Sequence, residues 1–391
     1  MFLMSKRSTL LEIANDTLRM YKSHLFEKSK SHSSNIDDFS REPPYFGIDL
    51  IRCIGPSVSW DERISFLKFA KTFVKTSLFS SEKDSNLRGQ CLVKLANANK
   101  VAIANELMNS TEGNLQDKIG MNQGIISIYR DKASAETFIE TNSAVGESAK
   151  FLSAEEAIDF EPRLKFVNIQ PLYFVLRPDD QVASCASFVR YLIRKLQSNH
   201  ISYETKLGKV EKIERLNENI REGTKRFRIK TAEGDFCYYD HIVLANGVNA
   251  PLLAAQIGAS DYCPTFPLRG FSLTTSINAI EGSKQNVLRT GLSLDKMYCT
   301  SVTSSSARLV GFGEIVGFPW HSDGFLTAGP RVIKRYANML FPDGSNNEIL
   351  ECFRPLSPDD IPIAGAVKSI PGLYIHTGHG SLGMFLRSNS R

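Results

Sequence analysis

A mixed α/β fold, opening with a helical region and passing into strands that alternate with short helices, is what the chain predicts, and three observations carry it. Helical spacing of apolar residues is strongest before residue 110. From residue 120 the pattern changes to short apolar runs separated by Gly, Pro, Asn and Asp. One of those runs, Ile242-Val243-Leu244-Ala245, ends in Asn246-Gly247 and passes at once into a short helical stretch, the layout of a strand-to-helix unit.

In chain order, residues 9–28 read as a helix and 31–44 as a polar loop ending in a double proline. Residues 60–79 form a clearer helix, with Ile64, Leu67, Ala70, Phe73 or Val74, and Leu78 at helical spacing, and 86–108 form a third. Residues 124–129 read as a strand, and Ser153-Ala154-Glu155-Glu156 has the spacing of a capping box. A helix over 183–197 sets Phe188, Tyr191, Leu192 and Leu196 on one face, and 201–205 returns as a strand. Strands follow at 209–215 and 226–231, then a Glu233-Gly234 turn, then a single strand over 239–245 whose apolar run predicts cover on both faces. The many Ser, Thr and Gly of 266–318, set among alternating apolar residues, suit an antiparallel sheet; 330–339 reads as a helix closed by Pro342-Asp343-Gly344.

With 391 residues, 42% hydrophobic and 23% charged, the chain is long enough for two domains with a buried core. Its net charge of +5 arises from 47 basic and 42 acidic residues spread along the length, so a nucleic-acid partner is not indicated. The local excess at Lys22, His24, Lys28, Lys30 and His32 is interleaved with serines and reads as a solvated segment. Seven cysteines at wide spacing suggest neither a disulfide framework nor a metal site, and fit a reducing compartment, the cytoplasm. A mitochondrial address is the alternative: Lys6, Arg7, Arg19 and several serines favour a transit peptide, while Glu12 and Asp16 oppose one. No run of 18 apolar residues marks a membrane span.

Three places carry chemistry. Ala245-Asn246-Gly247, with Asn249 as N-cap and Gly258 as C-cap of the helix that follows, lets backbone amides approach a pyrophosphate or ribose; it serves equally as a tight connection with no ligand. Arg354 offers a rigid fork of donors that matches a carboxylate in bidentate fashion, or else a surface partner for Asp359 or Asp360. Gly378, Gly380 and Gly383 spell GxGxxG after a predicted strand. A dinucleotide fingerprint must open a unit of about 30 residues, and only eight residues follow Gly383, so that reading is rejected.

The strings Phe353-Arg354-Pro355, Ser357-Pro358-Asp359 and Ile361-Pro362-Ile363-Ala364-Gly365, with Leu373-Tyr374-Ile375-His376-Thr377-Gly378-His379-Gly380-Ser381-Leu382-Gly383-Met384, resemble the end of the D-amino-acid oxidase/dehydrogenase family of FAD-dependent oxidoreductases. Their wording is nearest to that of D-amino acid dehydrogenases. The resemblance implies an incomplete Rossmann-like FAD-binding domain interleaved with a substrate domain on an antiparallel sheet. It divides the chain into a helical region 1–119, substrate parts 120–178 and 259–344, and FAD-binding parts 179–258 and 345–391. The implied chemistry is oxidation of the C–N bond of a small amino acid or amine by hydride transfer to FAD, with the electron acceptor left open.

By the same resemblance, Arg354 binds the substrate carboxylate, and Val210, Ala245, Asn246, Gly247, Gly378, His379, Gly380, Ser381, Leu382, Gly383 and Met384 approach the flavin nucleotide. Tyr298 stands where relatives carry an active-site aromatic, and serves equally as an ordinary sheet residue; Arg269 either faces the flavin or is a solvated charge at a strand end. Residues 1–60 hold no glycine before Gly47 and no leading apolar strand, so the family's opening GxGxxG unit is expected to be missing and the last helix cut short after Arg391. A non-catalytic descendant acting as a binding or scaffold module is the alternative function.

Overall fold

The computed structural model describes residues 46–78, 80–108, 122–144, 148–167, 172–198, 208–216, 225–276, 288–294, 297–303, 305–321 and 329–380. The elements expected at 9–28, 31–44 and 201–205 lie outside these residues. In chain order come β1 (Phe46–Ile48), α1 (Leu50–Ile54), α2 (Trp60–Leu78), α3 (Glu82–Met108), β2 (Asn122–Tyr129), α4 (Lys132–Ala144), β3 (Lys150–Leu152), α5 (Ala154–Phe160), β4 (Tyr173–Val182) and α6 (Cys185–Ser198). Then follow β5 (Val210–Arg215), β6 (Phe227–Thr231), β7 (Phe236–Tyr239), β8 (Ile242–Leu244), α7 (Ala250–Gln256), β9 (Phe266–Ser276), β10 (Gly291–Leu294), β11 (Met297–Thr303) and β12 (Ser306–Ile315). The last elements are α8 (Gly329–Leu340), β13 (Ser345–Leu356), β14 (Ile363–Ala366) and β15 (Leu373–Thr377).

Local chemistry fixes several of these ends. Ser59 and Glu62 form a reciprocal cap on α2, the Ser59 amide donating to the Glu62 carboxylate at 2.7 Å and the Glu62 amide to the Ser59 hydroxyl at 3.4 Å. Ser153 and Glu156 do the same for α5. Phe341 to Gly344 turns back after α8, as Pro342-Asp343-Gly344 predicts.

A nine-stranded sheet dominates, in the order β13-β9-β12-β11-β10-β2-β4-β3, with β1 paired to β12. Most pairs are antiparallel, as expected; β10 with β2 and β1 with β12 are parallel. On one face α8 packs Val332, Ile333, Tyr336, Ala337 and Leu340 against Phe271, Leu273, Leu309 and Ile126. A second core lies between two small sheets, β5-β6-β7 and β14-β15-β8, where Ile213 and Phe227 meet Ile242, Leu244, Ala254, Leu373 and Ile375. A third joins Phe66 and Phe69 of α2 to Phe266 and Phe318.

Four expectations are corrected. The run over 239–245 is two strands in two sheets: a break at Asp240-His241 separates β7 from β8. Cover on both faces is not found, because Val243 is 60% exposed while Ile242 and Leu244 are buried. The N-terminal region is not wholly helical, since β1 adds a short parallel strand to the large sheet. Asn249 makes no side-chain cap bond, because a 3-10 turn over Gly247–Asn249 already leads the backbone into α7; Gly258, at φ 73°, follows that helix. Along α6, Phe188 and Tyr191 are buried and Leu192 is partly so, but Leu196 is exposed near the helix end.

Arg269 is a further correction. Rather than lying free at a strand end, its guanidinium is 2% exposed and bridges three strands. It donates to Glu314 of β12 through Nε (2.9 Å) and Nη2 (2.7 Å), and to Glu351 of β13 through Nη1 (3.0 Å). Taking one partner from a buried ion pair leaves the rest desolvated without compensation, a cost of about 3–5 kcal/mol. Arg269→Ala is therefore expected to lower the unfolding free energy by about that amount, read as a shift of the urea midpoint. An unchanged midpoint would show that the network carries no stability.

Candidate functional site

Two parallel strands set the site. β15 runs beside β8 with Leu373, Tyr374 and Ile375 opposite Ile242, Val243 and Leu244, so the carboxyl ends of both strands open at the same edge. Ligands of open α/β sheets bind at that edge. The Thr377 hydroxyl donates to the Gly247 carbonyl at 3.1 Å and ties the two ends together. Among the described residues, Gly247, at φ 60°, has nothing within 4 Å of where a Cβ would stand, and Gly380, at φ 52°, meets only Leu356, at 3.8 Å. Such bare backbone admits a flat or phosphate-bearing group to within contact distance.

The bend after β15 folds back on β13. The Gly380 amide donates to the Pro355 carbonyl at 2.8 Å, and Leu356 bridges to His379. Arg354 is therefore next in sequence to the residue that anchors the bend. Its Nη1 donates to the Phe312 carbonyl at 3.0 Å, and among the described residues no carboxylate pairs with it. The surface pairing with Asp359 or Asp360 is thus not what the structure shows; Asp359 instead accepts the Ile361 amide. Gly270 makes room for the guanidinium, since a Cβ there would stand 2.6 Å from Nη1. Phe312 holds its carbonyl in place at φ 67°, a left-handed conformation costing a residue with a side chain about 1–3 kcal/mol. It sits where the β12–β9 register breaks, between Gly311 and Glu314. A half-buried cation held by one backbone carbonyl keeps donors for an external anion.

Tyr298 lies on β11, opposite Val310 of β12, which faces Ser272 of β9, which faces Leu350 of β13. Opposed residues share a face and alternate residues repeat it, so Tyr298 and Arg354 project from the same side of the large sheet. Arg269, opposite Phe353, projects from the other. The Tyr298 residue is exposed, yet burial around its hydroxyl raises its pKa, against the charge of Arg177 and a bond with Ser293.

Val210 begins β5 and packs partly buried on the second core, in the same unit as Gly247. Ala245 and Asn246 form the exposed step from β8 into the turn. The His379 ring lies 4.6 Å from that of His376. Ser381, Leu382, Gly383 and Met384 lie outside the described residues. Among those residues no group of three or more His, Cys, Asp or Glu could hold a metal, and no helix is long and apolar enough to cross a membrane. Sequence reasoning missed Phe312, Thr377 and Gly270. For Gly270, its place beside Arg269 was a usable signal; the other two act through backbone and hydroxyl positions that only the structure reveals.

An FAD molecule is tested against this geometry by its need for close backbone approach. Gly247 and Gly380, at the carboxyl ends of β8 and β15, fit that need.

Residues 81–386 match the family described as DAO, FAD dependent oxidoreductase. The chain is 27% identical over 306 residues to the D-amino acid dehydrogenase of Allorhizobium ampelinum, which covers 76% of this chain and 67% of that protein. It is 25% identical over 308 residues to the enzyme of the same name from Rhizobium johnstonii, covering 76% and 68%. It thus spans about two thirds of the length of these relatives. Among solved structures, glycine oxidase from Geobacillus kaustophilus shares the fold with a TM-score of 0.57, at 20% identity over 75% of each chain. L-proline dehydrogenase from P.horikoshii follows at 0.55, with 17% identity over 77% of this chain and 75% of that one.

The two site glycines should respond differently to a methyl group. Gly247→Ala meets open space and is expected to cost only the left-handed backbone, about 1–2 kcal/mol. Gly378→Ala, at φ 77°, also presses Thr265 and Ser357 at 3.2 and 3.3 Å, and is expected to cost about 1–3 kcal/mol more. Urea unfolding of the two variants checks the order; equal costs would place Gly247 in a packed turn.

Proposed function

The chain belongs to the DAO family of FAD-dependent oxidoreductases, and on that premise we propose that it oxidises the C–N bond of a small amino acid or amine, with a D-amino acid the substrate its named relatives point to. One observation supports this above the others: Arg354, without a carboxylate partner among the described residues, adjoins the strand end against which the glycine bend is bonded. An anion held there lies beside whatever flat group the bend admits.

FAD, when bound, supplies the acceptor for the hydride that leaves the substrate carbon. This chain supplies the placement. Val210, Ala245, Asn246 and Gly247 would approach the nucleotide from one strand end, and Gly378, His379 and Gly380, with Ser381, Leu382, Gly383 and Met384, from the other. Arg354 clamps the substrate carboxylate and so fixes which face of the amino acid meets the cofactor; near-attack positioning of this kind lowers a barrier without any covalent step. Tyr298, on the same sheet face, limits the space left for the rest of the substrate. In this reading the two substrate parts, 120–178 and 259–344, carry most of the large sheet, while β1 and β13 pair into it from outside them. None of the seven cysteines is in a disulfide, which supports a reducing compartment, cytoplasmic or mitochondrial.

Purified protein is expected to be yellow, with flavin absorbance. Arg354→Lys keeps the charge but loses the fork, and the charge-assisted bonds lost are worth about 1.5–3 kcal/mol, or roughly 10- to 100-fold in substrate affinity. Anaerobic titration of flavin bleaching with D-amino acids should show that loss, while the flavin-to-protein absorbance ratio stays the same. Equal loss of substrate and flavin would refute the role. Gly380→Val is expected to abolish flavin uptake while the far-UV circular dichroism stays native, and unchanged FAD retention would remove the bend from the site.

A further inference from the structure

The register of the large sheet supplies a floor for a substrate side chain beside Arg354. Its guanidinium lies over Gly270 of β9, since a Cβ there would stand 2.6 Å from Nη1 and 2.8 Å from Cζ and Nη2. Ser272 follows on the same face of β9, about 7 Å further along, and Val310 of β12 stands opposite it. Tyr298 of β11 is opposite Val310 in turn. Two strand spacings across and two residues along set its Cα about 12 Å from the guanidinium.

That row is neutral from end to end. Leu350, Ser272, Val310, Tyr298, Ser293 and Ser127 stand side by side across β13, β9, β12, β11, β10 and β2. Charge returns one row further from Arg354, where Glu348, Thr274 and Arg308 are aligned. There the Arg308 Nε donates to Thr274, its opposite residue, at 3.1 Å, so its charge is directed across the sheet and not along it toward Ser272. Glu348 is exposed.

A carboxylate or ammonium set on this floor would lose hydration and gain no countercharge. An alkyl chain carries no such cost. Length follows from the same spacing: a bidentate pair holds the substrate carboxyl carbon about 4 Å from the guanidinium carbon, and contact with Tyr298 takes about 4 Å more. What remains is about 4–5 Å, which at about 1.5 Å per bond is an alkyl side chain reaching to Cδ.

We propose that Ser272 and Val310, with Tyr298 as the end wall, select a neutral aliphatic side chain of leucine or methionine size. The inference deepens the reading of Arg354 as the carboxylate clamp and rests on it.

Affinity and oxidation are measured separately on the purified protein with FAD added. Competition by saturation-transfer NMR ranks 4-methylpentanoate, propionate, glutarate and 6-aminohexanoate, which lack the α-amine. Anaerobic flavin bleaching then ranks D-Leu, D-Ala, D-Glu and D-Lys. The first carboxylate is expected to bind roughly 50-fold tighter than propionate, from about fourfold for each of three buried carbons. Glutarate and 6-aminohexanoate should bind weakest, and D-Leu should bleach at the lowest concentration. Ser272→Val, which fills the floor, should bring 4-methylpentanoate and propionate within roughly fivefold. Val310→Asp, which adds a countercharge, should place 6-aminohexanoate ahead of 4-methylpentanoate. Propionate or glutarate binding as tightly as 4-methylpentanoate overturns the proposal, and so does an order that neither substitution moves. If no amino acid bleaches the flavin while the carboxylates keep the expected order, the oxidation is refuted and the floor stands.

Discussion

The hydrogen bond from the Gly380 amide to the Pro355 carbonyl ties together two units that each close their own core, beside the Leu356–His379 bridge and the packing of Leu252 on the Phe66–Phe266 cluster. The large sheet closes its core with α8, and the small parallel pair closes its own with α7 and the β5-β6-β7 meander. Pro355 faces Pro267 across the β13–β9 ladder, and neither carries an N–H. The Pro355 carbonyl is thus not held by its opposite residue and accepts from the returning bend instead. That proline pair is the point at which the proposed anion clamp and the glycine bend meet.

The Phe312 backbone belongs to the same arrangement. Its ring enters the core beside Phe271, while its carbonyl turns to Arg354. A residue with a bulky side chain is left-handed there because one backbone step must serve both sides of the sheet, and the bulge supplies that step. The strain of about 1–3 kcal/mol is offset by the buried ring and by the charge-assisted bond to the guanidinium.

Much of this was legible in the sequence where the signal was local. Helical spacing located α2, and Ser153 with Glu156 marked α5 through a reciprocal bond three residues long. The proximity of Arg354 to the glycine bend followed from the wording of the last forty residues, and the structure supplies its bond. What failed was long-range. The apolar run at Ile242-Val243-Leu244 states that side chains are apolar, not how many faces have neighbours, and Val243 remains in solvent. The outer edge of β8 is likewise unpaired among the described residues. That face is the one at which the reading of a doubly covered strand and the observed fold part company.

Two arginines on neighbouring strands show why register decides function here. Arg269 and Arg354 carry the same charge and both adjoin the β9–β13 ladder, so composition does not separate them. Register does: Arg269 pairs across with Phe353, and Arg354 with Leu268. Side chains alternate at a period of two, so the guanidiniums emerge on opposite faces. On the face of Arg269 stand Glu314 and Glu351, which consume its donors in a buried network. On the face of Arg354 stand Gly270, which has no side chain, and Tyr298, which has no negative charge to offer in its phenol form. One arginine is therefore a fastener, and the other keeps donors for the anion-binding role proposed for it. A slip of one residue in β13 would turn Arg354 to the face of Arg269 and carry Glu351 away from it, so the long β13–β9 pairing protects the proposed site as much as the fold.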